Sequence, residues 1–130
     1  MAEALYNQRA GGGASSCGVI PAGFPDGHMA AVMKEVGLDL LDFECRGLEA
    51  VADKPARVIC LTPDVVGPVR EMAVGWGVPM ACWEIPDPAF EGGTREVRLN
   101  AYRAARDAIS REVDALLPQD SEAWNKANTR

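Results

Sequence analysis

Two apolar runs, RVICL at 57–61 and VPMACWEI at 78–85, bracket a segment of helical spacing, and this alternation restricts the fold most. The first run is continuous and β-branched, the pattern of a strand buried on both faces. Between them, TPDVVGPVREMAVGWG starts a helix at Thr62 or Asp64 and ends it at Gly75 or Gly77, with Gly67 and Pro68 disturbing its first turns. Earlier, Cys17–Ile20 reads as a short strand running into a Gly/Pro loop. Met29, Val32, Met33 and Val36 then recur at helical spacing, with Gly37 as a left-handed stop. A connector with one helical turn around Leu48–Val51 leads to RVICL. Beyond a loop, PDPAFEGG, the segment TREVRLNAYRAARDAISREVDALL places Leu99, Tyr102, Ala105, Ile109, Val113 and Leu116 at helical spacing over about six turns. Thr94 is its N-cap, with Glu96 favouring the N-terminal dipole. Met1–Ala10 consists largely of good helix formers and stops at three glycines. The order α, β, α, β, α, β, α predicts an α/β fold with a parallel sheet covered by helices on both sides.

The 130 residues suit one domain, and a composition of 48% hydrophobic and 25% charged residues is ordinary for a globular chain. A formal charge of -6 argues against nucleic acid and anionic membrane as partners. The longest apolar run, Ala73–Trp83, contains Gly75, Gly77 and Pro79 and falls well short of the roughly 18 residues of a membrane span. Met1–Gly13 has no signal-peptide core, so the cytoplasm is the expected location. Cys17, Cys45, Cys60 and Cys82 are spaced too widely for a zinc knuckle or a Cys-x-x-Cys motif and read as reduced apolar fillers. No metal or other cofactor is expected. The lone histidine, His28, reads as a solvated residue at a helix start. Arg95, Arg98, Arg103, Arg106 and Arg111, interleaved with Glu96, Asp107 and Glu112, read as a solvated helix face rather than an anion site. The polar segment 118–130 follows Pro118 and reads as a frayed tail, leaving 1–117 as the domain.

WEIPDPAFEGGTREVRLNAYRAARDAI resembles the low-molecular-weight protein-tyrosine phosphatases, a family that shares its fold with related arsenate reductases. MAEAL is similar to that family's first helix. PAGFPDGHMAAVMKEVGLDL resembles its second strand, loop and helix, with Pro21 where the family often has serine. RVICLTPD resembles the third strand and its exit loop. The likeness runs from Met1 to about Leu117 and implies a three-layer α/β/α fold around a parallel sheet.

The resemblance also implies a reaction. A Cys-x5-Arg-Ser loop ahead of the first helix binds a phosphate dianion on backbone N–H groups at the helix N-terminus. The same field lowers the thiol pKa so that a thiolate attacks phosphorus, while the arginine grips two phosphoryl oxygens. An aspartic acid on another loop protonates the leaving phenolate. Asp87 in Pro86-Asp87-Pro88 matches that acid, and Trp83 and Phe90 beside it could line the mouth for an aryl phosphate. Read without the resemblance, Asp87 between two prolines is a plain turn residue and Trp83 a core residue at a strand end.

The nucleophile has no match. No cysteine is followed by arginine six residues on: Cys17 leads to Gly23, Cys45 to Val51, Cys60 to Val66 and Cys82 to Pro88. The helix that should present the phosphate loop begins at Met1, so the expectation is that about fifteen residues, one strand and a loop, precede it. In the family that first strand lies inside the sheet. Each buried backbone group orphaned by its loss costs about 1–3 kcal/mol, which favours a longer reading frame or a fragment over a natural domain with a gap. Pairing with a second copy, a homodimer, would be another repair. Three functions follow. The first is hydrolysis of a phosphomonoester such as phosphotyrosine by the full-length protein, with this chain alone inactive. The others are arsenate reduction by the same loop, and a non-catalytic interaction module with a degenerate site. Cys60 and Cys82 could invite a redox reading like that of thioredoxin-coupled arsenate reductases, but those enzymes' extra cysteines fall on the loop after the third strand, where LTPDVVGPV has none, so the phosphatase is the better comparison.

Overall fold

A computed structural model describes residues 1–18, 26–40, 43, 46–47, 54–88 and 92–128, with 120–128 as backbone. It contains four α-helices, α1 (Ala2–Ala10), α2 (Gly27–Lys34), α3 (Val66–Trp76) and α4 (Arg95–Asn128), and two strands, β1 (Val58–Cys60) and β2 (Met80–Cys82). The strands pair in parallel, Val58 opposite Met80, Ile59 opposite Ala81 and Cys60 opposite Cys82. A parallel pair needs a crossover, and α3 supplies it, packing on both strands. A second parallel contact is a single bridge between Gly18 and Gly47. The chain is therefore a mixed α/β protein, as its alternation predicts.

Local chemistry sets the helix ends. Asp26 caps α2 by accepting from the backbone N–H groups of His28 (2.8 Å) and Met29 (3.2 Å). Its C-terminal turn closes when Leu38 N–H donates to Met33 O (3.0 Å), which Gly37 permits with φ 82°. The irregular start expected before α3 is a 3-10 turn, Pro63–Val65, capped by the Thr62 hydroxyl. Pro68 then stands in the first turn of α3, where its missing N–H has no partner to lose. Thr94 caps α4 by accepting from Val97 N–H (3.3 Å).

The core is built on α4. Of the stripe read from the sequence, Leu99, Tyr102, Ala105, Ile109 and Val113 are buried, while Leu116 is half-buried. Ile109 and Val113 pack with Leu5 of α1, Met33 of α2 and Leu40, and Trp83 and Ile85, which follow β2, close over them. Leu99 and Tyr102 pack with Val32 of α2. Polar ties run along the edges of this core. Arg9 donates to Ser110 O and Oγ (3.1 and 2.6 Å) and pairs with Asp114 (3.1 Å). Glu35 at the end of α2 accepts from Arg103 (2.7 Å) and Arg106 (2.9 Å) of α4.

Several expectations are corrected. The arginines of α4 are not uniformly a solvated face: Arg106 is 12% exposed and also donates to Val32 O (2.8 Å), so it joins α2 to α4. The strand 57–61 is shorter and is not buried on both faces, since only Cys60 is buried while Val58 and Ile59 are half-buried. Cys17 and Cys82 are exposed rather than core fillers. His28 is half-buried against a neighbouring ring, not simply solvated. The helix does not stop at Pro118 but continues to Asn128. Proline removes the bond to the carbonyl of Asp114, an exposed position that water can reach, and the Gln119 side chain donates to Ala115 O (3.4 Å). The turn at Leu48–Val51 and residues Val19, Ile20, Cys45 and Phe90 lie outside the described residues.

Two outcomes test this core. Leu5→Ala should cost about 2–5 kcal/mol in urea unfolding, because its partners come from three different segments and cannot all close the cavity. Hydrogen bonds from Arg103 and Arg106 hold the Glu35 carboxyl down at about 2. A depressed acid stabilises the fold above its unfolded-state pKa and loses that contribution as pH falls through the folded value. Stability should therefore decline between pH 4.5 and about 2, and Glu35→Gln should flatten that decline.

Candidate functional site

Asp87 lies on the segment that leaves β2. Trp83 N–H donates to Cys60 O (2.8 Å), the last ladder bond, and Ile85 N–H then turns back to Trp83 O (3.1 Å). The backbone after it is stiff: Pro86 fixes its own φ, and Pro88 restricts Asp87 to extended conformations. This places the Asp87 carboxylate on the surface, while Trp83 is half-buried against the α1–α2–α4 core.

A buried tyrosine links this segment to two helices. Tyr102 of α4 is 6% exposed, and its phenol pKa is pushed up to about 12. Burial is the main cause, followed by the charge of Asp26, a hydrogen bond with Asp26, and the charge of Asp87. Both carboxylates therefore act on one phenol and oppose its ionisation. The His28 ring stacks on Tyr102, with centroids 5.8 Å apart and planes 16° from parallel, and His28 Nδ1 lies 3.6 Å from Asp26 Oδ1. Met1, at the start of α1, packs on the same Val32–Leu99–Tyr102 cluster. The N-terminal ends of α1 and α2, the first turns of α4 and the charge of Asp87 thus converge on Tyr102.

Of the residues singled out from the sequence, Asp87 takes part in this convergence and Trp83 serves the core. Asp26, His28 and Tyr102 were not singled out as a group. One signal for them existed: a tyrosine in an otherwise aliphatic helical stripe needs a polar partner for its hydroxyl, and Asp26 is the cap of the helix that packs there. Among the described residues no group of three or more His, Cys, Asp or Glu side chains could hold a metal ion. Among them, too, no helix is long and apolar enough to cross a membrane. The chain matches no known family model and no curated protein sequence.

The raised phenol has a measurable consequence. A tyrosine that holds its proton more tightly when folded stabilises the fold below its unfolded pKa and loses that contribution as pH rises through the folded value. Stability should fall between pH 10 and about 12, and the phenolate absorbance titration should show a component near 12. Tyr102→Phe should abolish that component and flatten the alkaline decline; an unchanged titration would contradict the placement of Tyr102.

Proposed function

We propose that the chain is the acid-bearing part of a low-molecular-weight protein-tyrosine-phosphatase-like domain, whose full form hydrolyses a phosphomonoester such as phosphotyrosine. The packing of Trp83 and Ile85, just ahead of Asp87, on the same core cluster as Met1, Ala2 and Leu5 at the start of α1 is the observation that carries this reading. A phosphate cradle at the start of α1 would stand near a proton donor already fixed between two prolines. The proposed three-layer α/β/α arrangement is supported by α3 packing on β1 and β2, and by Trp83 and Ile85 entering the separate α1–α2–α4 core. Both pairings among the described residues are parallel. In such a ladder Val58 and Cys60 bond toward β2, so the alternation turns the Ile59 N–H and C=O to the opposite edge, where an interior strand would bond.

In this reading a thiolate ahead of α1 attacks phosphorus and the bond to the aryl oxygen breaks. Asp87, protonated, gives its proton to that oxygen as the phenol leaves. The resulting cysteinyl phosphate is hydrolysed by water, with the Asp87 carboxylate taking a proton. None of this chemistry calls for a metal. The 130 residues contain no Cys-x5-Arg sequence, so the chain alone is expected to be inactive. The substrate is an oxyanion ester, and the proposed location is the cytoplasm. The absence of cysteine from Leu61–Val69 favours hydrolysis over arsenate reduction.

The in-frame sequence ahead of Met1 gives the first test: it should encode a strand followed by Cys-x5-Arg-Ser. In protein that carries that loop, Asp87→Asn should lower aryl-phosphate turnover by about 100-fold or more, within the range of general-acid contributions. Equal turnover by the two proteins, or Cys-dependent hydrolysis by the 130 residues alone, would contradict the reading.

A further inference from the structure

We propose that Cys60 and Cys82 form an oxidisable thiol pair that a hydroperoxide closes into a disulfide across the two strands. The inference stands apart from the proposed phosphatase chemistry and rests on the register of the sheet. Cys60 and Cys82 are opposite one another in the parallel ladder, so their side chains project from the same face. Neighbouring strands lie about 4.8 Å apart, inside the Cα separation of about 4.4–6.8 Å that a disulfide spans. Exposure divides the roles: Cys82 is open to solvent and Cys60 is buried beside it. The Cys60 thiol donates to Thr62 O (2.9 Å), which fixes the buried sulfur at the end of β1.

The step balances as follows. The Cys82 thiolate attacks one oxygen of hydrogen peroxide, the O–O bond breaks, and hydroxide leaves to become water, giving a sulfenic acid. The Cys60 sulfur, passing its proton to solvent, then attacks Cys82 Sγ. The S–O bond breaks and a second water forms. Two thiols lose two electrons and two protons, and one peroxide becomes two waters. Partial loss of hydration beside the strand, together with the neighbouring Cys60 and Glu84, raises the Cys82 pKa, so at neutral pH the thiolate is scarce and the reaction slow. The product would tie the ends of β1 and β2 together directly before the segment that carries Asp87.

Trypsin separates the two cysteines into peptides 58–70 and 71–95, so the link can be read by mass spectrometry after peroxide treatment and alkylation. The folded chain should give one dominant cross-link joining those peptides, lost in Cys82→Ser and retained when Cys17 and Cys45 are both changed to Ser. Denatured chain should give a mixture of pairings. The rate should rise about tenfold per pH unit from pH 7 to 8.5, as thiolate becomes available. Folded protein that yields scrambled links, links through Cys17 or Cys45, or oxidation of Cys82 to sulfinic acid with Cys60 still alkylatable would overturn the proposal. So would a rate independent of pH over that range.

Discussion

Burial of one stripe of α4 is the constraint on which the rest of the structure depends. The two strands have three residues each and share one short ladder, too little to hold a fold together by themselves. Ile109 and Val113 bring Leu5, Met33 and Leu40 into one cluster, and about two to four turns earlier Leu99 and Tyr102 gather Val32. Because both clusters lie on one helix, α1 and α2 are positioned relative to each other through α4. The Glu35–Arg103–Arg106 group then fixes the crossing of α2 on α4 at its exposed edge, where partly exposed ion pairs gain modestly from being networked.

This arrangement explains how a surface loop acquires a defined setting. Asp87 is exposed, and its backbone is constrained by prolines rather than by burial. Trp83 and Ile85 anchor the base of its loop in the core that α1, α2 and α4 share. A carboxylate placed this way is exposed yet held on a stiff support, which is compatible with the proton donation proposed for it.

The parts of the fold that were legible in the sequence are those where one local rule dominates. The α4 stripe, the glycine stops at Gly37 and Gly77 and the Thr94 cap all follow from spacing or from a single residue's chemistry. Strand length was less legible: RVICL and VPMACWEI carry the β pattern, but ladder bonds depend on a partner's register, which spacing does not contain. The course of α4 past Pro118 was hidden for a related reason, since a helix tolerates proline where the orphaned carbonyl is solvated. At the candidate site, Asp87 could be picked out through a family likeness, whereas the meeting of Asp26, His28 and Tyr102 is a product of how α2 crosses α4. The cysteines show the same limit, because only the register reveals that Cys60 and Cys82 are neighbours.

The central claim is that Asp87 donates a proton to a departing aryl oxide. Its most direct test is the dependence of turnover on the leaving phenol's acidity, across a series of aryl phosphates, in protein that carries a Cys-x5-Arg loop ahead of Met1. With Asp87 supplying the proton, the rate should vary little as the phenol becomes less acidic, and Asp87→Asn should make it fall steeply. The same slope with and without the carboxyl group would contradict the account.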